Sequence, residues 1–241
     1  MIKSVIFDMD DTLVAFDMVS EKTWMEVCLE IAPALRPPAA AETLYRTIRE
    51  ESGRFWSDPQ RNKRGRLDIE GARREVVRAA FAGLGRSDME TADALADANS
   101  ARRLANMQFL PGAEEILAAL TARGIRLLLL TNGDSRIQRG KISRFGLEKY
   151  FPHILIEEEL GFGKPDERAF LAALKLLGTE ARETVMVGDN YAWEMEPALR
   201  LGITAVWHTC GGLRERPPGS PEPDYTIAEI AELPGVLEKL A

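Results

Sequence analysis

Lys3-Ser4-Val5-Ile6-Phe7-Asp8-Met9-Asp10-Asp11-Thr12-Leu13 decides how the rest of the chain is read, because an apolar run ends abruptly in acid. A short run without polar alternation predicts a strand buried on both faces, as in parallel sheets covered by helices. Open parallel sheets bind ligands at the carboxyl edge of their strands, which is where Asp8 falls. In extended chain the side-chain direction repeats every two residues, so Asp8 and Asp10 can face one reacting group. Two close carboxylates do not ionise equally in a desolvated pocket, and a divalent cation favours the one it binds. One can then attack phosphorus while its neighbour passes a proton to the leaving oxygen; Thr12 can orient Asp10 or shape the turn. The alternative is that these acids cap a turn by accepting backbone N–H bonds.

Further apolar runs recur downstream at Ile125–Leu130, His153–Ile156, Glu183–Val187 and Ile203–Trp207, with a short strand expected at Tyr225–Ile227. Helix-sized segments separate them. One opens at Pro111 and stops at Gly124; a second, Glu167–Leu177, carries Phe170, Leu171, Leu174 and Leu177 as an apolar stripe; a third runs from Glu194 to Leu201. Alternating strands and helices predict an α/β fold, a Rossmann-like doubly wound and mostly parallel sheet. Residues 16–108 break the alternation: strand signals are sparse, and spacings such as Val76, Val77, Ala80 and Phe81 suit helices, with Asp88 a candidate cap. The reading is an all-helical cap domain inserted after the first strand, leaving 1–15 and 109–241 as the core domain. Pro33, Pro37, Pro38 and Pro59 are expected to divide the insertion into short helices.

Three more strand ends carry chemistry. Thr131-Asn132-Gly133 offers a hydroxyl and backbone N–H groups that can hold phosphoryl oxygens, or simply a turn. In Gly161-Phe162-Gly163-Lys164-Pro165-Asp166 the proline restricts the backbone of Lys164 and suits a helix opening, so the lysine is placed to neutralise a phosphoryl dianion and a carboxylate. Val187-Gly188-Asp189-Asn190 ends in an oxygen donor suited to Mg²⁺, which takes carboxylates, carbonyls and water. Glu194, five residues on from Asp189, can bind through water or support Lys164; helix capping by Asp189 and helix-end charge for Glu194 are the alternatives. The insertion also offers Trp24, Phe55 and Trp56, the last two near Arg54, Arg61, Lys63 and Arg64 in sequence, which can either stack on a substrate or form cap core.

The formal charge of −7 disfavours a nucleic acid polymer as partner. Apolar residues make up 45% of the chain but form no unbroken run long enough to span a bilayer, so no membrane association is expected. Cys28 and Cys210 lack metal or disulfide spacing, and the start of the chain lacks signal-peptide organisation, both of which favour the cytoplasm. His153 and His208 suggest no joint role. A monomer or weak homodimer is expected.

Together Asp8-Met9-Asp10-Asp11-Thr12, Thr131-Asn132-Gly133, Lys164-Pro165 and Gly188-Asp189-Asn190 through Glu194 resemble the haloacid dehalogenase-like phosphatase superfamily, in order and over nearly the whole chain. The resemblance implies that Asp8 is the nucleophile, that Asp10 protonates the leaving group and then activates water, and that Thr131 and Lys164 contact the phosphoryl group. It also implies Mg²⁺ on the carboxylates of Asp8 and Asp189 and the backbone carbonyl of Asp10. Glu194 departs from the usual aspartate, and its longer reach preserves acidic support. Thr12, Asn132 and Gly133 complete the expected phosphate site, with Asn190 and Glu194 behind the metal. Asp10 favours a phosphatase over a dehalogenase, whose departing halide needs no proton. The implied substrate is a small phosphorylated metabolite, and the general organisation resembles pyrimidine nucleotidases and sugar-phosphate phosphatases. A nucleoside 5′-monophosphate, a phosphosugar or phosphoglycolate are the candidates, with a phosphomutase as an alternative and a noncatalytic module as a remote one.

Overall fold

The computed structural model describes residues 1–35 and 39–240; Pro37 and Pro38, expected to interrupt the insertion, lie outside the described residues. Strand β1 (Ser4–Phe7) is followed by helices α1 (Ser20–Ile31), α2 (Ala41–Ser57), α3 (Pro59–Leu67), α4 (Ile69–Gly83) and α5 (Met89–Asn106). The chain then alternates through α6 (Ala113–Ala122), β2 (Arg126–Thr131), α7 (Ser135–Arg144), β3 (His153–Ile156), α8 (Glu157–Leu160), α9 (Glu167–Leu177) and β4 (Thr184–Gly188). A π-helical turn (Tyr191–Met195) leads into α10 (Glu196–Leu201), β5 (Thr204–His208), β6 (Tyr225–Ile227) and α11 (Leu233–Lys239).

Among the described residues the strands form one six-stranded sheet in the order β3-β2-β1-β4-β5-β6. Every pair is parallel. The strand order reverses between β1 and β4, the position at which doubly wound sheets open a crevice for ligands. Phe7 lies level with Leu129 on β2 and with Val187 on β4, so the residues that follow these three strands emerge side by side. The sheet is anchored by apolar residues such as Ile6, Leu128, Phe170 and Met186, all buried. Each contributes about 1.5–3 kcal/mol relative to an exposed position.

Two compact units result: Met1–Ala15 with Gln108–Ala241, and Phe16–Met107. The ends of the first unit's break run side by side, with an antiparallel bridge between Val14 and Phe109 and a hydrogen bond from the Ala15 N–H to the Gln108 carbonyl. Among the described residues the second unit's elements are all helices, around a core that contains Trp24, Val27, Phe55, Val77 and Phe81. Asp88 accepts from the Thr91 N–H and caps α5 as expected. None of the described helices is long and apolar enough to cross a membrane.

Local expectations fail where a turn residue competes with the helix pattern. Pro111 does not open α6, because the left-handed Gly112 takes the position before the helix. Pro59, by contrast, divides the insertion as expected: α2 ends at Ser57 and Pro59 opens α3, as a residue without an N–H can at the first helical position. Glu194 lies inside the π-helical turn, and the regular helix starts two residues later at Glu196. On α9 the buried face consists of Ala169, Phe170, Ala173 and Leu177, while Leu171 is exposed.

Candidate active site

At the sheet's carboxyl edge β1 delivers Asp8, whose N–H still donates to the Val187 carbonyl at 3.0 Å. Lys164, only 1% exposed, reaches it from the loop before α9, with Nζ 2.5 Å from Asp8 Oδ1 and 2.5 Å from Glu194 Oε1. The other oxygen of Glu194 accepts from the Asn190 N–H at 3.0 Å. Glu194 therefore supports Lys164 and the turn after β4 together, and Asn190 also caps that turn by accepting from the Trp193 N–H. The carboxylate of Glu194 fits only because residue 188 has no side chain: a Cβ there would lie 1.9 Å from Oε2.

Burial sets the electrostatics. It raises the Asp8 carboxyl above the ordinary range, with Lys164 opposing. It pushes Glu194 up to about 7, again against Lys164. Asp189 rises through burial and then through its neighbours Glu194 and Asp8, with the Arg214 guanidinium opposing. Burial pulls Lys164 down, but the carboxylates of Asp8 and Glu194 more than offset it and hold the ammonium above its usual value.

Asp8, Asp189 and Glu194 each present an oxygen, all within 4.8 Å of one another. Lys164 bridges Asp8 and Glu194, and Arg214 bridges Asp189 at 2.7 Å and Asp11 at 2.7 Å. Each bridge sets one cation against two carboxylates, so with all four ionised the cluster is left with a charge of two that one divalent ion would neutralise. Hard oxygen donors and this charge balance suit Mg²⁺. Both oxygens of Glu194 are already engaged, which makes it a supporting group.

Asp10 is held by different partners. Its carboxylate meets Lys141 Nζ at 2.9 and 2.7 Å and Gln138 Nε2 at 3.2 Å, both from α7. Gln138 Nε2 also lies 2.6 Å from Thr131 Oγ1 and 2.9 Å from the Asn132 carbonyl.

Of the backbone N–H groups expected to hold phosphate, that of Gly133 is engaged elsewhere, and the side chain of Asn132 has a structural role. The amide of Asn132 is spent on the backbone of Lys164, donating to its carbonyl at 2.7 Å and accepting from its N–H at 2.8 Å. The Gly133 N–H donates to Glu157 Oε2 at 3.1 Å. Thr12 is fully buried, and its hydroxyl has no hydrogen-bond partner among the described residues, so it does not orient Asp10. Pro165 follows Lys164 through a cis peptide, and Asp166 is the residue that caps α9. Trp24 and Phe55 are buried in the helical core, and Trp56 packs on it and stacks edge-on against Phe55, which fits the packing alternative.

Sequence reading missed Gln138, Lys141 and Arg214, and gave Asp11, His208 and Cys210 no role. The Asp11 carbonyl accepts from Cys210 Sγ at 3.3 Å and lies 3.0 Å from His208 Nδ1. The available signal was a glutamine and a lysine one turn apart on the helix after Thr131-Asn132-Gly133, which present a buried polar face. Arg214 carried none, since it sits in a glycine-rich loop far from any motif.

Residues 2–202 match the family model for haloacid dehalogenase-like hydrolases. The chain is 28% identical to a glyceraldehyde 3-phosphate phosphatase of Methanopyrus kandleri over 100% of its own length and 99% of that protein. It is 41% identical to a phosphoserine phosphatase of Thermus thermophilus over 123 residues, which spans 51% of this chain and 49% of that relative. A 2-haloacid dehalogenase of Pseudomonas syringae superposes over 100% of both chains with a TM-score of 0.64 and 30% identity. With the family matched over most of its length and an acid cluster at the sheet edge that can hold a metal ion, the chain belongs to the haloacid dehalogenase-like hydrolases.

Proposed function

We infer that the α/β unit hydrolyses the phosphomonoester of a small alcohol through a phosphoaspartate on Asp8. The observation that carries this reading is the buried contact of Lys164 with Asp8, beside Asp189 and with Asp10 two residues further on. In the first displacement an oxygen of Asp8 bonds to phosphorus, the ester P–O bond breaks, and Asp10 gives a proton to the departing alkoxide. In the second, water bonds to phosphorus, its proton passes to Asp10, and the bond between Asp8 and phosphorus breaks to release phosphate. Lys164 offsets negative charge in both displacements. Asp8 and Asp189 would hold Mg²⁺ through their carboxylates and Asp10 through its backbone carbonyl. When bound, the ion supplies further charge neutralisation at the phosphoryl oxygens.

A halide leaves without a proton, so Asp10 supports phosphomonoester cleavage over dehalogenation. The relatives named for phosphoserine and glyceraldehyde 3-phosphate support a small non-nucleotide ester. The nucleotide expectation rested on a resemblance of general organisation to pyrimidine nucleotidases; of the aromatic residues that could stack on a base, Trp24 and Phe55 lie in the core of the insertion. Phosphate release is to be measured over phosphoserine, triose and hexose phosphates, phosphoglycolate and nucleoside 5′-monophosphates, with and without Mg²⁺. Release from small esters that requires Mg²⁺ and is abolished in Asp8→Asn is expected. No release from any of them by folded protein overturns the reading, and isomerised sugar phosphate with little free phosphate would indicate a mutase.

A further inference from the structure

Helix α7 places two polar side chains where a surface helix ordinarily buries apolar ones. Lys141 is 2% exposed and Gln138 2% exposed, and the two lie one turn apart on the same face. Lys141 Nζ meets both oxygens of Asp10, at 2.9 and 2.7 Å. A carboxyl group gripped in this way has one oxygen to keep on the ammonium while the other exchanges a proton with substrate or water.

Gln138 does a second thing. The three groups around its Nε2 are a carboxylate, a carbonyl and the Thr131 hydroxyl, at 3.2, 2.9 and 2.6 Å. An amide nitrogen only donates, so this orientation of the amide is the one its neighbours demand, and Thr131 Oγ1 must accept. The hydroxyl proton of Thr131 is thereby turned outward. Among the described residues, the acceptor it meets, the Asn132 carbonyl, is at the outer limit of hydrogen bonding, 3.5 Å. A phosphoryl oxygen would receive that proton readily.

We propose that Gln138 and Lys141 are positioning residues: Lys141 aims the Asp10 carboxyl, and Gln138 fixes Asp10 and the donor direction of Thr131 relative to one another. This inference rests on the phosphoaspartate reading. Asp10 is needed in the first displacement only when the leaving group requires a proton, whereas in the second it is always needed to receive the proton of water. Loss of its aim therefore has a signature that general destabilisation lacks.

The test uses the full chain with Mg²⁺ and two probes. One is p-nitrophenyl phosphate, whose p-nitrophenolate departs unaided, and the other is glycerol 2-phosphate, whose alkoxide needs a proton. In Lys141→Met, kcat on glycerol 2-phosphate is expected to fall ~100- to 1,000-fold with KM changed by less than about threefold. With p-nitrophenyl phosphate the first turnover stays within about tenfold of the parent, followed by slow steady state, so one equivalent of p-nitrophenolate appears as a burst. Gln138→Leu, read in the same way, gives the same pattern with a smaller loss of about tenfold. Equal losses on both probes without a burst, unchanged turnover, or failure of both variants to fold as judged by circular dichroism, each overturn the proposal. Inactivity of the parent on both probes overturns the phosphoaspartate reading itself, which separates the two failures.

Discussion

Gly188 shows how far a single atom constrains the site. A Cβ there would lie 1.9 Å from Glu194 Oε2 and 2.6 Å from its carboxyl carbon, so Gly188→Ala is expected to push Glu194 off Lys164 and to cost about 1–3 kcal/mol. Adding Glu194→Asp should recover part of that stability and of the Mg²⁺-dependent activity, because the shorter side chain withdraws from the methyl group. Equal melting temperatures for the single and double variants would contradict the steric account. The raised carboxyls make a second prediction. Glu194, at about 7, and Asp189 hold protons in the native state that the unfolded chain has already released. Their contribution to stability is therefore complete below the ordinary carboxylate range and is lost as pH rises through their raised native values, about 7 for Glu194. A divalent ion needs the ionised forms, so its binding releases protons and tightens over the same interval. Calorimetry from about pH 5 to about pH 8 is expected to show a Mg²⁺-induced rise in Tm that grows with pH and disappears in Asp189→Asn. A rise that is independent of pH, or that survives in that variant, would remove Asp189 from the metal site.

Between elements, the side chain of Asn132 joins the end of β2 to the loop that carries Lys164, with one hydrogen bond in each direction. Asn132→Asp replaces the donor facing the Lys164 carbonyl with an acceptor while keeping the side chain's shape. Leaving a buried carbonyl facing an acceptor costs about 1–3 kcal/mol. Because Lys164 would lose its fixed reach to Asp8, kcat is expected to fall by about 10- to 100-fold with little change in KM, measured on whichever ester the screen identifies. A change in KM alone would return Asn132 to direct phosphate binding. Gly163 belongs to the same joint, since a Cβ there would meet Asn132 Oδ1 at 2.5 Å and Glu157 Cγ at 2.7 Å.

For the whole molecule, the insertion enters and leaves the α/β unit through neighbouring backbone at Val14 and Phe109. Because the ends are adjacent, replacing residues 16–107 with a turn of about four Gly and Ser residues should close the chain at little entropic cost. The shortened protein is expected to keep the far-UV spectrum of an α/β unit and a single cooperative melt; a molten or aggregated product would make the insertion essential to folding. The doubly wound sheet was legible in the chain because buried parallel strands leave unbroken apolar runs, with Asp8 and Asp189 directly after two of them. The helical insertion was legible as the loss of that alternation. Glu194 was legible as an acid after Asp189 that either binds through water, supports Lys164 or charges a helix end; its contact with Lys164 and its position in a π-helical turn came from the fold. Gln138, Lys141 and Arg214 were not legible, nor was the commitment of Asn132 and Gly133 to other partners, nor the burial of Trp24 and Phe55. Sequence alone determined which residue types end each strand, because strand burial and side-chain alternation are local properties of the chain. Only the tertiary structure decided which donors and acceptors meet there, because a hydrogen bond across more than a hundred residues depends on where the fold brings two atoms to within about 3 Å.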